Sequence, residues 1–235
     1  MKTAVMQPYL FPYIGYWQLI NSVDQFVILD DVNFIIRGYI NRNSILLNGE
    51  IYNFTIPIKK ASQNKLIMDT EINFSIRERN KFLHTIENAY KKAPNYYQVK
   101  PILEKIIMYS KNDVTSYIEN SIRVILDYLQ LDTKIYISSK IEKKQELKAQ
   151  DKIIEICKRV GTDTYINSCG GRVLYRHTDF EREHIHLLFL DTRTEKIMYN
   201  QKKLEFVKNL SIIDVLMFND KDVIRAFLKE YDLNE

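Results

Sequence analysis

Gln7-Pro8-Tyr9-Leu10-Phe11-Pro12-Tyr13-Ile14-Gly15-Tyr16 joins two segments of opposite character. Ahead of it, Thr3-Ala4-Val5-Met6 is a short apolar run of the kind a buried parallel strand makes. Behind it, Tyr16-Trp17-Gln18-Leu19-Ile20-Asn21-Ser22-Val23 reads as a helix. The decapeptide is therefore a strand-to-helix loop. Two prolines stiffen it, and Gly15 keeps the helix entrance free of a side chain, so that backbone N–H groups there would face a ligand. Gln25-Phe26-Val27-Ile28-Leu29-Asp30-Asp31 follows, an apolar strand ending in two carboxylates. Strand, loop, helix and strand make a βαβ unit, and open α/β sheets bind ligands beyond the carboxyl ends of their strands. The aromatic loop and the two aspartates both fall at that edge.

Downstream, Val32 to Arg42 mixes aromatic and basic residues around a turn glycine, Gly38. Ser44–Leu47, Asn48-Gly49 and Ile51–Ile56 spell a β-hairpin, because Asn-Gly between β-rich runs supplies the positive φ angles of a tight turn. A basic polar loop, Pro57–Lys65, leads to an expected strand over Leu66–Phe74, and Ser75 is placed to cap a helix from Arg77 to Lys92. Tyr96 to Leu131 reads as helical throughout. One stripe is expected at Ile102, Lys105, Ile106 and Tyr109, and another at Tyr117, Ile118, Ser121, Ile122, Ile125, Leu126 and Leu129. Lys134–Ser139 is a strand, Asp151–Val160 a helix stopped by Gly161, and Thr164–Asn167 a strand opening into Ser168-Cys169-Gly170-Gly171. His184–Leu190 reads as an edge or late strand, Ser211 as the cap of a short buried helix, and Asp220–Leu228 as the helix that closes the chain. Strand, helix and strand thus recur, and the loops at 7–16 and 167–171 are expected to converge on one rim of a sheet.

The 235 residues suffice for one α/β domain over 1–235 with a mainly helical segment at about 76–132. With 46% hydrophobic and 27% charged residues the composition is that of a globular protein. A net charge of +4 is too small to imply nucleic-acid binding, whereas an anionic small molecule needs only a local patch. Two cysteines, Cys157 and Cys169, make no disulfide framework, no signal-peptide stretch opens the chain, and no run approaches the ~18 apolar residues of a membrane span. A cytoplasmic protein without a membrane span, free to oligomerise, is expected.

Several separated motifs, in one order and covering nearly the whole chain, resemble the WbqC-like protein family of bacteria. They are Gln7-Pro8-Tyr9 with Phe11-Pro12-Tyr13-Ile14-Gly15-Tyr16, Asp30-Asp31-Val32 with Arg37-Gly38 and Ile40-Asn41-Arg42-Asn43, Lys60-Ala61-Ser62-Gln63 with Lys65-Leu66-Ile67, Tyr165-Ile166-Asn167 with Gly170-Gly171 and Leu174-Tyr175, and Leu210-Ser211-Ile212-Ile213-Asp214. Cys169 stands where that family is expected to carry proline or a small residue. The resemblance implies a place in O-antigen or other surface-polysaccharide biosynthesis, with transfer of an acyl or aminoacyl group to an amino sugar on a nucleotide carrier. In layout, Tyr13-Ile14-Gly15-Tyr16 after a strand is similar to the His-x-Gly-His signature of nucleotidylyltransferases and class I tRNA synthetases. Both histidines are tyrosine here, so a protonated imidazole is lost.

The expected fold is α/β, with a Rossmann-like, parallel-core sheet of nucleotidylyltransferase-like layout, a β-hairpin insertion and a helical middle region. Gln7, Tyr9, Tyr13, Gly15 and Tyr16 are candidate substrate-binding residues, the aromatics as a wall that stacks on a base or sugar. Trp17 is assigned to the core. Arg37, Asn41, Arg42, Lys60, Ser62 and Gln63, with Lys59, Lys65 and Asn43 nearby, suit an anionic diphosphate. Asn167, Ser168, Gly170 and Gly171 suit a nest of backbone amides. Asp30 and His177 are the candidate proton acceptors, with Asp30-Asp31 otherwise a solvated strand end or a partner of Arg37. Adjacent strand residues face opposite sides, so only one aspartate would enter a given pocket. His184 and His186 share a strand face but have no firm third ligand beside them, so no metal site is assigned. The cofactor is unknown, since no coenzyme A site is recognisable. The readings left open are acyl or aminoacyl transfer, a non-catalytic module that holds a sugar nucleotide, and nucleotidyl or adenylyl transfer.

Overall fold

Five parallel strands and one antiparallel edge strand form the central sheet of the computed structural model, which describes residues 1–144, 146–202 and 205–235. In chain order the elements begin with β1 (Lys2–Met6), α1 (Ile14–Asn21) and β2 (Gln25–Ile28). An insertion follows: β3 (Arg42–Leu47), β4 (Glu50–Thr55), β5 (Ile58–Lys59), β6 (Glu71–Ile72), α2 (Ile76–Tyr90), α3 (Tyr96–Ile107) and α4 (Val114–Leu129). The chain then returns through β7 (Lys134–Ile137), α5 (Ala149–Arg159), β8 (Thr164–Ser168), α6 (His177–Glu181) and β9 (His186–Thr192). It finishes with α7 (Ile212–Phe218), α8 (Lys221–Phe227) and β10 (Tyr231–Asn234).

The strands lie in the order β10-β9-β8-β1-β2-β7, parallel except for β10 against β9. Strand order therefore reverses between β1 and β8: the chain moves outward from β1 to β2 and β7, then returns to the other side of β1. Side-chain alternation sets the two faces. Ala4, Phe26, Ile28, Ile135, Ile137 and Ile166 join the larger core with α1, α3, α4 and α7. Val5, Val27, Tyr165, Leu187 and Phe189 pack on the other face against Ile153, Ile156 and Cys157 of α5 and Phe180 of α6.

Local chemistry explains the elements the sequence announces. Asn48 and Gly49 adopt φ of 54° and 80°, closing the β3–β4 hairpin. Ser75 and Glu78 form a reciprocal capping box at α2, Ser211 caps α7, and Gly161 takes φ 71° after α5. Trp17 is fully buried and donates from its indole nitrogen to the Pro12 carbonyl at 3.2 Å.

Four expectations need correction. Leu66–Phe74 is not one strand but a short 3-10 turn, Ile67–Asp69, and the two-residue β6, because it pairs only briefly with β5. The helical run at 96–131 breaks at 108–113, where Asp113 caps a new helix by accepting from Ser116 N–H at 2.7 Å. The inward stripe of α3 is Val99, Leu103, Ile106 and Ile107, with Lys105 outside. Finally, the closing element is β10 rather than α8. Gln18, buried inside α1, donates to the Phe227 and Glu230 carbonyls at 2.8 and 2.9 Å and so holds the turn that brings β10 onto β9.

Candidate functional site

The carboxyl ends of all five parallel strands open on one rim. Gln7 follows β1, Asp30-Asp31 follow β2, Ser138-Ser139 follow β7, Ser168 ends β8, and Asp191-Thr192 end β9. The expected convergence of the 7–16 and 167–171 loops holds: they leave adjacent strands at the strand-order reversal, and the Tyr13 hydroxyl neighbours the Cys169 thiol.

The 7–16 loop is held from two directions, by Asn43 of β3 and by Ser211 at the head of α7. Phe11, between the two prolines, sits at φ 44° and is wholly buried. That left-handed conformation strains a bulky residue by about 1–3 kcal/mol and persists only where its surroundings dictate it. Its carbonyl accepts from the Asn43 amide at 2.8 Å and the Ser211 hydroxyl at 2.9 Å. Asn43 also donates to the Leu10 carbonyl at 3.1 Å, which binds the start of β3 to the loop. Two motif residues far apart in sequence thus fix one backbone turn.

On this scaffold the aromatics divide into two sets. Tyr16 is buried and donates to the Gln7 carbonyl at 2.8 Å, so it belongs to the core. Tyr9 and Tyr13 are half-buried at the rim, and Tyr39, which the sequence reading did not select, joins them with its ring 5.7 Å from that of Tyr9. Burial, aided by neighbouring phenols, pushes both the Tyr9 and Tyr13 hydroxyls up and keeps them as neutral donors; at Tyr13 the Cys169 thiol contributes too. Gly15 serves this arrangement. A Cβ there would meet the Tyr13 ring at 2.5 Å and Thr192 Oγ1 at 3.0 Å, so the glycine lets Tyr13 fold across the entrance of α1. No side chain caps that entrance. The Gln7 side-chain amide makes no hydrogen bond among the described residues and remains available to a ligand.

Across the strand-order reversal, Asn167 is buried and accepts from Ser168 N–H at 2.8 Å. Its amide nitrogen packs so closely under Gly171 that a Cβ would lie 2.4 Å away. Asn167 shapes the glycine loop, while Ser168 and Gly170 stay accessible, nothing lying within 4 Å of a Cβ at Gly170. Asp191 accepts from Arg172 at 2.7 Å and from Asn234 at 2.9 Å and takes the Cys169 thiol as a further donor. Burial and then the Asp191 hydrogen bond push the Cys169 thiol up, which holds it protonated rather than as a nucleophilic thiolate. His177 opens α6 with its ring 5.8 Å from Phe189, behind Arg172 on the α5–α6 side of the sheet.

The two aspartates diverge as the alternation rule requires. Asp30 is 1% exposed and turns toward α4, accepting from Ser139 N–H at 2.9 Å, Ser139 Oγ at 2.7 Å and Thr115 Oγ1 at 3.3 Å. Burial raises its carboxyl above the usual range against those hydrogen bonds. Asp31 turns toward α5 and meets lysines, not Arg37: Lys143 Nζ at 2.9 Å and Lys152 Nζ at 3.2 Å, with Ser138 Oγ donating at 2.7 Å. Burial would raise the Asp31 carboxyl, but Ser138, Lys143 and the charge of Lys152 hold it below the usual range. Beside this cluster opens a cavity of about 430 Å³ between the ends of β2 and β7. Lys143, Lys152 and Ser139 were not chosen from the sequence. The only hint was a lysine-rich connection next to a strand end.

Arg37, Arg42 and Lys60 are exposed on the insertion and do not line that cavity, as Gln7 and Asn167 also do not. Asn41 donates to the Ile56 carbonyl at 2.7 Å, Lys59 pairs with Glu71 at 2.8 Å, and Ser62 accepts from Asn64 N–H at 3.2 Å, leaving Gln63 exposed. The loop carrying them does reach the cavity, because Phe34 N–H donates to the Lys65 carbonyl at 2.8 Å and Leu66 and Met68 form part of the wall. His186 opens β9, but His184 lies before it in a turn at φ 58°, so the strand expected from His184 starts two residues later and the two histidines share no strand face; both lie at the amino end of the sheet, remote from the rim. Among the described residues no cluster of three metal-ligating side chains occurs and no helix is long and apolar enough to cross a membrane.

Comparison with known proteins agrees with the motifs. The chain is 24% identical over 220 residues to the "Uncharacterized protein Rv1507c" of Mycobacterium tuberculosis, covering 93% of each. No solved structure gives a match. The model of the WbqC-like protein family matches residues 7–226, so the chain belongs to that family.

Proposed function

We propose that the protein is a transferase of surface-polysaccharide biosynthesis that binds a nucleotide-linked amino sugar at the carboxyl rim, where the sugar amine attacks an activated acyl or aminoacyl donor, the new amide forming as the donor's carrier leaves and the amine gives up a proton. One observation carries the binding half of this reading. The strand-order reversal between β1 and β8, where open α/β sheets bind ligands, is overhung by a strained and firmly held aromatic loop with Gln7, Tyr9 and Tyr13 at its edge. Taken from β7, the parallel strands run in the order 3-2-1-4-5, which supports the Rossmann-like reading of the sheet. Tyr9 and Tyr13 offer stacking faces with neutral hydroxyl donors, Tyr39 adds a third ring beside them, and Ser168 and Gly170 offer an accessible turn opposite. The polysaccharide setting and the class of group transferred are what the sequence resemblance implies, and membership of the WbqC-like family supports carrying them over.

Of the two proton acceptors expected from the sequence, Asp30 is enclosed with its oxygens already engaged, which favours His177 for the proton of the attacking amine. Adenylyl transfer is disfavoured because Tyr16, in the position of the second signature histidine, faces the core. The full engagement of Asp30 and the protonated state of Cys169 support a second reading, a non-catalytic module that presents a sugar nucleotide to another enzyme. Calorimetry against a panel of nucleotide sugars, followed by mass spectrometry of amino-sugar products with acyl and aminoacyl donors, separates the two. Transfer that is lost in His177→Ala with binding kept supports the transferase; binding without product under any donor supports the module; absence of binding overturns both.

A further inference from the structure

We infer that the cavity between the ends of β2 and β7 is a phosphoryl-binding subsite in which Lys143 and Lys152 hold an anionic phosphate group. Asp31 is a single carboxylate, and one ammonium would neutralise it. Instead two lysines converge on it, their side chains only 5% and 10% exposed. Lys148 lines the same cavity, so three lysines and one carboxylate border it among the described residues. Of the other carboxylates nearby, Asp30 points to the opposite face of the sheet and is engaged by Ser139 and Thr115, and Asp151, in the first turn of α5, borders a separate cleft with Lys144, Lys158 and Arg182. An uncompensated cation withdrawn from water is costly, and a bound anion relieves that cost.

The walls fit such a guest. Lys152 is anchored by donating to the Asp31 carbonyl at 2.8 Å and to its carboxylate at 3.2 Å, which leaves one N–H for a guest, whereas Lys143, held by the Ser138 and Ile141 carbonyls and by Asp31, contributes its charge. The first turn of α5 borders the cavity without a side-chain cap, which adds backbone N–H groups and the positive end of the helix. A volume of about 430 Å³ admits a diphosphate and part of what it carries. This places the diphosphate-binding role at Lys143 and Lys152, whereas the sequence pointed to Arg37, Arg42 and Lys60, which remain exposed on the insertion. The identity of the whole ligand as a sugar nucleotide rests on the function proposed above; the phosphoryl subsite does not.

Inorganic pyrophosphate is the probe. Titrated into the full-length protein, it should shift the amide resonances of Ser139, Lys143, Ala149 and Lys152. Loss of one buried positive charge beside the phosphate in Lys143→Met should weaken it by about tenfold or more. Asp31→Asn, which removes the competing anion, should bind pyrophosphate more tightly than the natural chain. Shifts confined to Arg37–Arg42 and Lys60, or unchanged affinity in Lys143→Met together with no gain in Asp31→Asn, would overturn the subsite. Should Lys143→Met not fold, the wild-type shifts and Asp31→Asn decide the matter. Pyrophosphate bound here with no nucleotide sugar bound anywhere would overturn the function proposed above and leave the subsite standing.

Discussion

Replacing Asp31 with asparagine keeps the shape of the side chain and removes its charge, leaving Lys143 and Lys152 without the carboxylate that now lies 2.9 and 3.2 Å away. Breaking a buried ion pair from one side costs roughly 3–5 kcal/mol, because the surviving charge stays out of water. Asp31 retains 13% exposure and Lys143 still donates to backbone carbonyls, so the low end, about 3 kcal/mol, is expected. The pH dependence has a definite sign. The folded Asp31 carboxyl lies below its unfolded value of about 3.9, so its stabilisation is present above that value and is lost as pH falls through the folded one. The stability gap between the natural chain and Asp31→Asn should be wide near neutral pH and close in acid. Urea unfolding followed by the fluorescence of Trp17, the sole tryptophan and fully buried, measures it. A gap below about 1 kcal/mol, the range of an exposed pair, or one that does not narrow in acid, would refute the buried Lys-Asp-Lys cluster.

Gly171→Ala sets a Cβ 2.4 Å from the Asn167 amide and should cost about 1–3 kcal/mol while displacing the glycine loop; urea titration and ligand calorimetry should register the two losses together. Asp214→Ala removes the acceptor of Tyr90, Tyr199 and Gln201 at 2.8, 2.6 and 3.0 Å and should cost at least about 3 kcal/mol by the same assay. Burial raises the Asp214 carboxyl, so its pH contribution opposes that of Asp31: it favours folding most below the unfolded value and loses that share as pH rises through the folded one. Alkylation followed by mass spectrometry should find Cys157, buried and pushed up to about 12, inert in the native protein, and Cys169 slower than a free thiol despite its exposure.

Much of the fold is legible in local sequence because its signals are local. Asn48-Gly49, Ser75 with Glu78, Gly161 and the apolar runs of β1, β2 and β8 each dictate their structure within a few residues. The failures lie where distant residues decide. β10 is a tetrapeptide too short for its alternation of Tyr231 and Leu233 with polar residues to stand out, and it pairs because Gln18 ties its preceding turn and β9 presents a free edge. Leu66–Phe74 has strand-like composition but no long partner. In the candidate site, Gln7, Tyr9 and Tyr13 could be found from a stiffened loop after a strand. Asn43 and Asn167 carried the signal of ligand binding yet act on backbone, since an amide serves a carbonyl as readily as a substrate. Lys143 was hidden in an ordinary-looking lysine-rich connection and Lys152 in the amphipathic helix after it, and only the return of the chain from β7 to α5 brings them onto Asp31.

Chemical-shift mapping of the full-length protein with a saturating nucleotide-linked amino sugar tests the carboxyl-rim site most directly. The predicted result is a contiguous footprint on Gln7, Tyr9, Tyr13, Ser168 and Gly170 that extends to Ser139 and Lys143. A footprint at the amino end of the sheet around His184 and His186, or on the outer faces of α2 and α3, would contradict it.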